Sequence, residues 1–314
     1  MPWDLRLKRR LKLRDLDTLL AVAQCGSMAK AAAHLSVSQP AVSKAIADME
    51  ATIGVRLFER TAQGVELTMY GRVLLKSGVA IFDDLRQGVE EIGFLADPAS
   101  GELRIGTTEP MTAWVLPTII DRLSRQYPRM VFHISQIAAV AMQYDALRER
   151  RTELTIGRVP GHPVDDDLQA DVLFHERLHV VVGRQSPWVR RRSVELADLV
   201  DECWALPPSD TLAGGLMADV FRASGLSIPR ASVLAVSIQL QRSLLATGRF
   251  VTMFPTSILQ IEESRTLLKV LSIKLPQRPW PVATIRLKNR TVSPVAQLFM
   301  YCAREVAKPL ARGT

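Results

Sequence analysis

Cysteine is scarce: Cys25, Cys203 and Cys302 are the only three in 314 residues, and no two form a C-x-x-C pair. An odd, widely spaced set argues against a disulfide framework or a structural zinc site and fits a reducing compartment. Long apolar runs are missing as well. Leu19-Leu20-Ala21-Val22-Ala23 follows basic residues but is too short for a signal-peptide core, and Gln24 and Cys25 end it without a cleavage site. No uncharged stretch is long enough to span a bilayer, so a cytoplasmic chain with no membrane partner is expected. Catalytic signatures are absent too: there is no G-x-S-x-G, no Gly-rich phosphate loop and no H-E-x-x-H. The histidines, His34, His133, His162, His175 and His179, are scattered. His175 and His179 have the spacing of alternate strand positions, for which a structural role is a stronger reading than a metal pair. Enzyme activity, cofactors and metals are therefore not expected.

What is present is ordinary soluble-protein material, 47% apolar and 23% charged, in a chain long enough for two or three domains. The formal net charge of +8 favours a polyanionic partner. Residues 1–68 hold ten cations against seven anions, only +3 of that total. Charge alone therefore does not establish DNA binding.

Residues 15–53 read as three short helices. Leu16, Leu19, Leu20 and Ala23 line one face of the first, about Asp15 to Gln24, and Gly26 stops it. Ser27 is placed to cap a second helix, Met28 to Leu35. Ser38 is a good N-cap for a third running to about Ile53, and Pro40 is tolerated in its first turn. Met28, Ala32, Leu35, Val37, Val42, Ile46 and Met49 form a shared core, with small residues Ala31 to Ala33 at the crossing. This is a helix-turn-helix pattern. Val55 to Arg60 and Val65 to Leu67 follow as extended segments around Gln63-Gly64, a β-wing. Thr68 then caps a long helix, about Met69 to Leu95. Leu74, Gly78, Ile81, Leu85, Gly88, Ile92 and Leu95 recur on it at spacings of four and three, a heptad seam for a partner helix. The same spacing also suits a helix packed on its own domain.

Asp97-Pro98-Ala99-Ser100-Gly101 is a linker, and beyond it the pattern becomes α/β. Strands are expected at 102–106, 131–137, 153–156, 172–174, 178–182, 231–236, 250–254 and 282–286. Helices are expected at 111–127, 144–151, 212–224, 238–247 and 294–306. That alternation predicts a largely parallel sheet covered on both faces.

Four blocks carry a family resemblance: Gly26 to Ala32 (GSMAKAA), Ser36 to Ser43 (SVSQPAVS), Gly54 to Arg60 (GVRLFER) and Leu67 to Gly71 (LTMYG). With these, residues 15–96 resemble the DNA-binding half of LysR-type transcriptional regulators. The remainder is similar to that family's effector domain, through Gly101 to Gly106 (GELRIG) and Ala246 to Pro255 (ATGRFVTMFP). The resemblance implies an α+β multidomain chain: a winged helix-turn-helix over 1–68, a linker and dimerisation helix over 69–97, and an effector domain over 101–314. The effector domain is expected to be two-lobed and like periplasmic binding proteins. Lobe I takes about 101–174 and 275–314 and lobe II about 175–274, with hinges near His175-Glu176 and Leu271 to Leu275. The implied partners are double-stranded operator DNA, a small-molecule effector and further copies of the chain, as a dimer or a tetramer.

At the DNA end, a recognition helix needs short polar groups and a cation near its start. Gln39, Pro40, Ser43 and Lys44 meet that need. Ser36, Ser38, Ser27 and Arg60 suit phosphate contact, although Ser27 and Ser38 serve equally as caps and Arg60 as a solvated charge. The basic run Arg6 to Arg14 reads as a phosphate-binding arm or a solvated tail. Leu74, Ile81, Leu85, Ile92 and Leu95 are the candidate dimer residues. At the sensing end, ligands of such folds sit beyond the carboxyl ends of strands. Thr107, Thr108, Arg158, Ser209 and Phe254 are the candidate effector contacts, and the loop at Ile137-Ala138 lies beside them. Each has a bland reading: capping for Thr and Ser, a surface charge for Arg158, core packing for Phe254. An arginine at a cleft edge suits a carboxylate, which makes an organic acid the expected effector. The alternatives are a stand-alone solute-binding protein, which would lack residues 15–68, and an architectural DNA-binding protein whose effector domain serves only oligomerisation.

Overall fold

The computed structural model describes residues 10–61, 64–137, 139–159 and 165–312. Arg6, Lys8 and Arg9 of the basic run, Gln63 of the wing turn, Ala138 and His162 lie outside the described residues. The chain divides into two compact units at Val89/Glu90.

The first unit begins with α1 (Leu13–Cys25), α2 (Met28–His34) and α3 (Gln39–Ile53). Gly26 ends α1 in the left-handed region, φ 62°, with its N–H on the Val22 carbonyl at 3.0 Å. Leu19, Val22, Ala31, Ala32, Val42, Ile46, Met49 and Leu57 form the core. Val37 is exposed rather than part of it, because the turn bends outward at Ser36, which takes φ 56°. A two-stranded antiparallel wing follows, β1 (Phe58–Thr61) and β2 (Gly64–Leu67). Val65 N–H bonds the Gly26 carbonyl at 3.0 Å, and a Cβ on Gly64 would lie 2.3 Å from that same oxygen. Only glycine lets the wing lie on the α1–α2 turn. The Thr68 hydroxyl, accepting from Gly71 N–H at 3.0 Å, starts α4 (Met69–Ala96).

The second unit contains two five-stranded sheets. The first is built from β3 (Ser100–Thr107), β4 (Arg129–Gln136), β5 (Leu154–Arg158), β6 (Leu168–Glu176) and β12 (Trp280–Leu287), in the order β4-β3-β5-β12-β6. The second holds β7 (Leu178–Gly183), β8 (Cys203–Leu206), β9 (Ala231–Leu234), β10 (Phe250–Pro255) and β11 (Leu268–Val270), in the order β11-β7-β10-β8-β9. The chain crosses between sheets at Arg177 and again over 271–279. In each sheet four of the five strands run the same way, as expected for a largely parallel sheet, and one runs against them. β12 runs antiparallel to both β5 and β6, and β7 is antiparallel to β10 and β11.

Among the described residues seven α-helices accompany the sheets: α5 (Glu109–Ala113), α6 (Val115–Gln126), α7 (Val140–Arg148), α8 (Leu212–Ala223), α9 (Ile238–Ala246), α10 (Glu262–Leu267) and α11 (Pro294–Arg312). The single helix expected over 111–127 is broken at Trp114, whose φ and ψ are −144° and −51°. α11 continues past Val306 and carries Pro309 inside it. β8 has no counterpart in the sequence reading. Trp204 at its centre is fully buried, with its ring edge-on to Phe221 at 5.2 Å and its indole N–H on the Leu199 carbonyl at 2.6 Å. Among the described residues no helix is long and apolar enough to cross a membrane.

Gly183 at the end of β7 leaves no room for a side chain, since a Cβ there would lie 1.8 Å from the Leu245 carbonyl oxygen. Overpacking of this kind costs about 1–3 kcal/mol. For a unit of this size Gly183→Ala is expected to lower Tm by roughly 2–10 °C in calorimetry. An unchanged Tm would show that this backbone contact is not tight.

Candidate DNA-binding and effector sites

The DNA-binding candidates fall on one surface of the first unit because α3 is two-faced. Val42, Ile46 and Met49 are at most 3% exposed, while Gln39, Pro40, Ser43 and Lys44 are open to solvent. With 3.6 residues per turn, burying the first set turns the second set outward. Ser38 is a true cap, accepting from Ala41 N–H at 3.4 Å. Ser27 occupies the N-cap position of α2 without a side-chain cap bond, which leaves its hydroxyl for other use. Ser36 and Arg60 are exposed, on the turn and on β1. One organising residue was missed in the sequence. The Glu50 carboxylate on α3 accepts from Leu57 N–H at 2.7 Å and Phe58 N–H at 3.2 Å, tying the wing to the recognition helix. A lone acid on a helix gives no sequence signal for such a loop contact.

On α4, several apolar side chains face outward while two polar ones are buried. Ile81, Leu85, Val89, Ile92 and Leu95 are 42–75% exposed, whereas Asp83 and Gln87 are buried at 6% and 5%. Leu74 departs from the expected seam. It is half-buried against the apolar cluster of the first unit, and one turn on, a Cβ at Gly78 would lie 3.0 Å from the Leu20 side chain. The N-terminal part of α4 thus packs on its own unit, and the exposed seam begins at Ile81.

The effector candidates divide. Thr107 ends β3 fully buried, with its hydroxyl donating to the Ile156 carbonyl at 3.2 Å. Thr108 stands at the N-cap of α5 and, with Gln143 of α7, comes within 3.6 Å of where a Cβ on Gly157 would lie. Thr107, Thr108 and β5 are thereby brought together. Ser209 is exposed, in the loop before α8, and Thr211 is the residue that caps that helix. Phe254 is corrected: at 1% exposure it packs with Val181, Ile238, Leu245 and Ile258, so its ring serves the core of the second sheet.

Arg158 has the most unusual surroundings. The register pairs it with Val282 on β12, and Trp280 with Glu176 across β12 and β6, so all three side chains share one face of the first sheet. The guanidinium lies over the Trp280 ring at 3.9 Å. It makes no hydrogen bond among the described residues, and its Nε is buried. Burial pulls it down to about 10, opposed by the charge of Glu176. Glu176 is pushed above its ordinary value by burial, opposed chiefly by Ser257, whose backbone N–H donates to it at 3.0 Å. Trp280, Glu176 and Ser257 carry no motif; strand pairing gathers the first two, and the turn after β10 brings Ser257 to Glu176. His179 bonds the Thr256 hydroxyl at 3.1 Å, and His175 is exposed.

Two family models match the chain. The LysR substrate binding domain covers residues 96–308, and the bacterial regulatory helix-turn-helix protein of the lysR family covers 13–72. The HTH-type transcriptional regulator GbpR of Azospirillum brasilense is 30% identical over 303 residues, 95% of this chain and 87% of GbpR. The crystal structure of CbnR, a LysR family transcriptional regulator, is 22% identical and covers 95% of this chain and 99% of its own, at a TM-score of 0.61. Full-length CbnR complexed with target DNA is 23% identical and covers 95% of this chain and 100% of its own, at 0.54. With the helix-turn-helix, the wing and the two-sheet unit all in family order, the chain belongs to the LysR family of transcriptional regulators.

Proposed function

We propose that this regulator acts in the cytoplasm without enzymatic activity, reads operator DNA through α3 and answers to an organic acid bound in its second unit. The observation that carries the DNA half is the solvent face of α3, where Gln39, Pro40, Ser43 and Lys44 stand together. Gln can pair with adenine and Lys can donate to guanine acceptors, while Pro40 can touch a thymine methyl. Ser27, Ser36, Ser38 and Arg60 supply phosphate contacts that set register. The outward seam Ile81, Leu85, Ile92 and Leu95 supports a dimer built on α4, with dimers pairing into tetramers. Two-fold symmetry then matches two half-sites.

The effector half rests on Arg158, a guanidinium stacked on Trp280 with no hydrogen bond among the described residues. A carboxylate is the group such a cation accepts most strongly. Thr108 and Ser209 are the accompanying contacts in this reading, with Thr107 shaping the turn from behind. A purely architectural role gives no reason for a guanidinium stacked on a ring to carry no hydrogen bond. Binding acts by favouring one arrangement of the lobes over another.

Gln39→Ala and Lys44→Ala are each expected to cut the preference for operator over scrambled duplex by about 10- to 100-fold, measured by competition at fixed salt. Equal loss on both duplexes would reduce these residues to phosphate contacts. Leu85→Asp with Ile92→Asp should give monomers in sedimentation velocity; an intact dimer would move the interface elsewhere. In a thermal-shift screen of carboxylic acids, an acid hit should raise Tm with its concentration over Kd, and Arg158→Ala should abolish the rise. A hit that survives Arg158→Ala would displace the site.

A further inference from the structure

One contact joins elements of the two sheets and has no part in the effector contacts named above. Glu109 opens α5, on the turn that follows β3, and its Oε1 accepts from the backbone N–H of Ile238 at 2.8 Å. Ile238 opens α9, which packs on β7 and β10 of the second sheet. A carboxylate carried by one lobe thus takes up the first helical N–H of the other.

The local chemistry makes this a specific tie. First-turn N–H groups of a helix have no intrahelical acceptor, and the helix dipole favours an anion there. Ser237 Oγ already serves Leu240 N–H at 3.3 Å, and the Ser237 carbonyl takes Gln241 N–H at 3.1 Å, so Ile238 N–H is left for a group from outside the helix. Glu109 pairs with no cation among the described residues. Beside the tie, Ala113 at the end of α5 packs on the apolar cluster that contains Ile238, Phe254 and Ile258. At the crossover itself a second carboxylate repeats the arrangement: Glu176 of the first sheet accepts Ser257 N–H of the second lobe, fully buried. The two differ in setting. Glu176 sits at 2% exposure where the chain passes between sheets, whereas Glu109 is half-buried on a five-residue helix immediately after Thr107 and Thr108.

We propose that Glu109 is a latch: its bond to α9 holds the lobes in the arrangement described above, and the effector acts by releasing it. The proposal rests on the effector reading of the second unit given above. A tie that a ligand must break enters the coupling directly, because a ligand shifts the lobes only by its differential affinity for the two arrangements. Glu176 stays bonded in both arrangements and defines the hinge, while Glu109 distinguishes them. An effector lodged beside Thr108 displaces α5, carries Glu109 away from Ile238 and leaves the lobes to settle anew.

The test uses the full chain without effector. Amide exchange at Ile238, small-angle scattering and an operator footprint are recorded for wild type, Glu109→Ala and Glu109→Gln. Exchange at Ile238 is expected to speed up about tenfold or more in Glu109→Ala, with the amides of Leu244 and Leu245 unchanged. The radius of gyration should rise and the effector-free footprint should change. Glu109→Gln, which keeps an acceptor but not the charge, should fall between and covers the case of a poorly folding alanine variant. Faster exchange with an unchanged radius and footprint would overturn the latch and leave Glu109 as a local cap; unchanged exchange would overturn it outright. Wild-type protein that leaves the operator unprotected would instead overturn the regulator reading, with exchange and scattering still deciding the latch.

Discussion

Helical periodicity constrains this protein at its functional end. Val42, Ile46 and Met49 must enter the core that α1 and α2 close, and each is at most 3% exposed. Once they are buried, geometry leaves Gln39, Ser43 and Lys44 no side but the outer one. The same burial that stabilises the unit therefore presents its reading surface. Ser38 fixes where that helix begins, and Glu50 fixes how the wing hangs from it. Losing the apolar face would remove stability and recognition together.

α4 applies the opposite rule. A helix serving only its own unit would bury its leucines and expose its acids. Here Asp83 and Gln87 are inside while Leu85, Ile92 and Leu95 face out. An apolar stripe of that length in water is costly until a partner covers it. The second unit answers with strand pairing: Arg158, Trp280 and Glu176 are distant in sequence, yet β5, β12 and β6 set them on one face. The bond from Ile238 N–H to Glu109 joins the elements of the two sheets.

Legibility in the sequence followed the range of the forces involved. The first unit was readable almost residue by residue, because caps, turns and 3.6-residue periods are local; even there Val37 was misplaced, since a positive φ at Ser36 has no sequence mark. Leu74 fitted the heptad arithmetic but packs inward, as periodicity cannot say which neighbour a face will meet. In the second unit most strands and their common direction were found, while the two reversed ones, β7 and β12, were not. Antiparallel β12 depends on contacts across more than a hundred residues, and the short β8 is held between β9 and β10, both later in the chain. For the same reason Phe254 read as a cleft residue and belongs to the core, and Trp280 and Glu176 went unseen.

The most direct test of the central claim is methylation protection of guanine N7 on an operator duplex, which reports the major groove itself. The account predicts protected guanines in two clusters separated by about one helical turn or a multiple of it, both lost in Gln39→Ala combined with Lys44→Ala. Protection of the sugar–phosphate backbone with every N7 still reactive would contradict it, because α3 would then lie outside the groove.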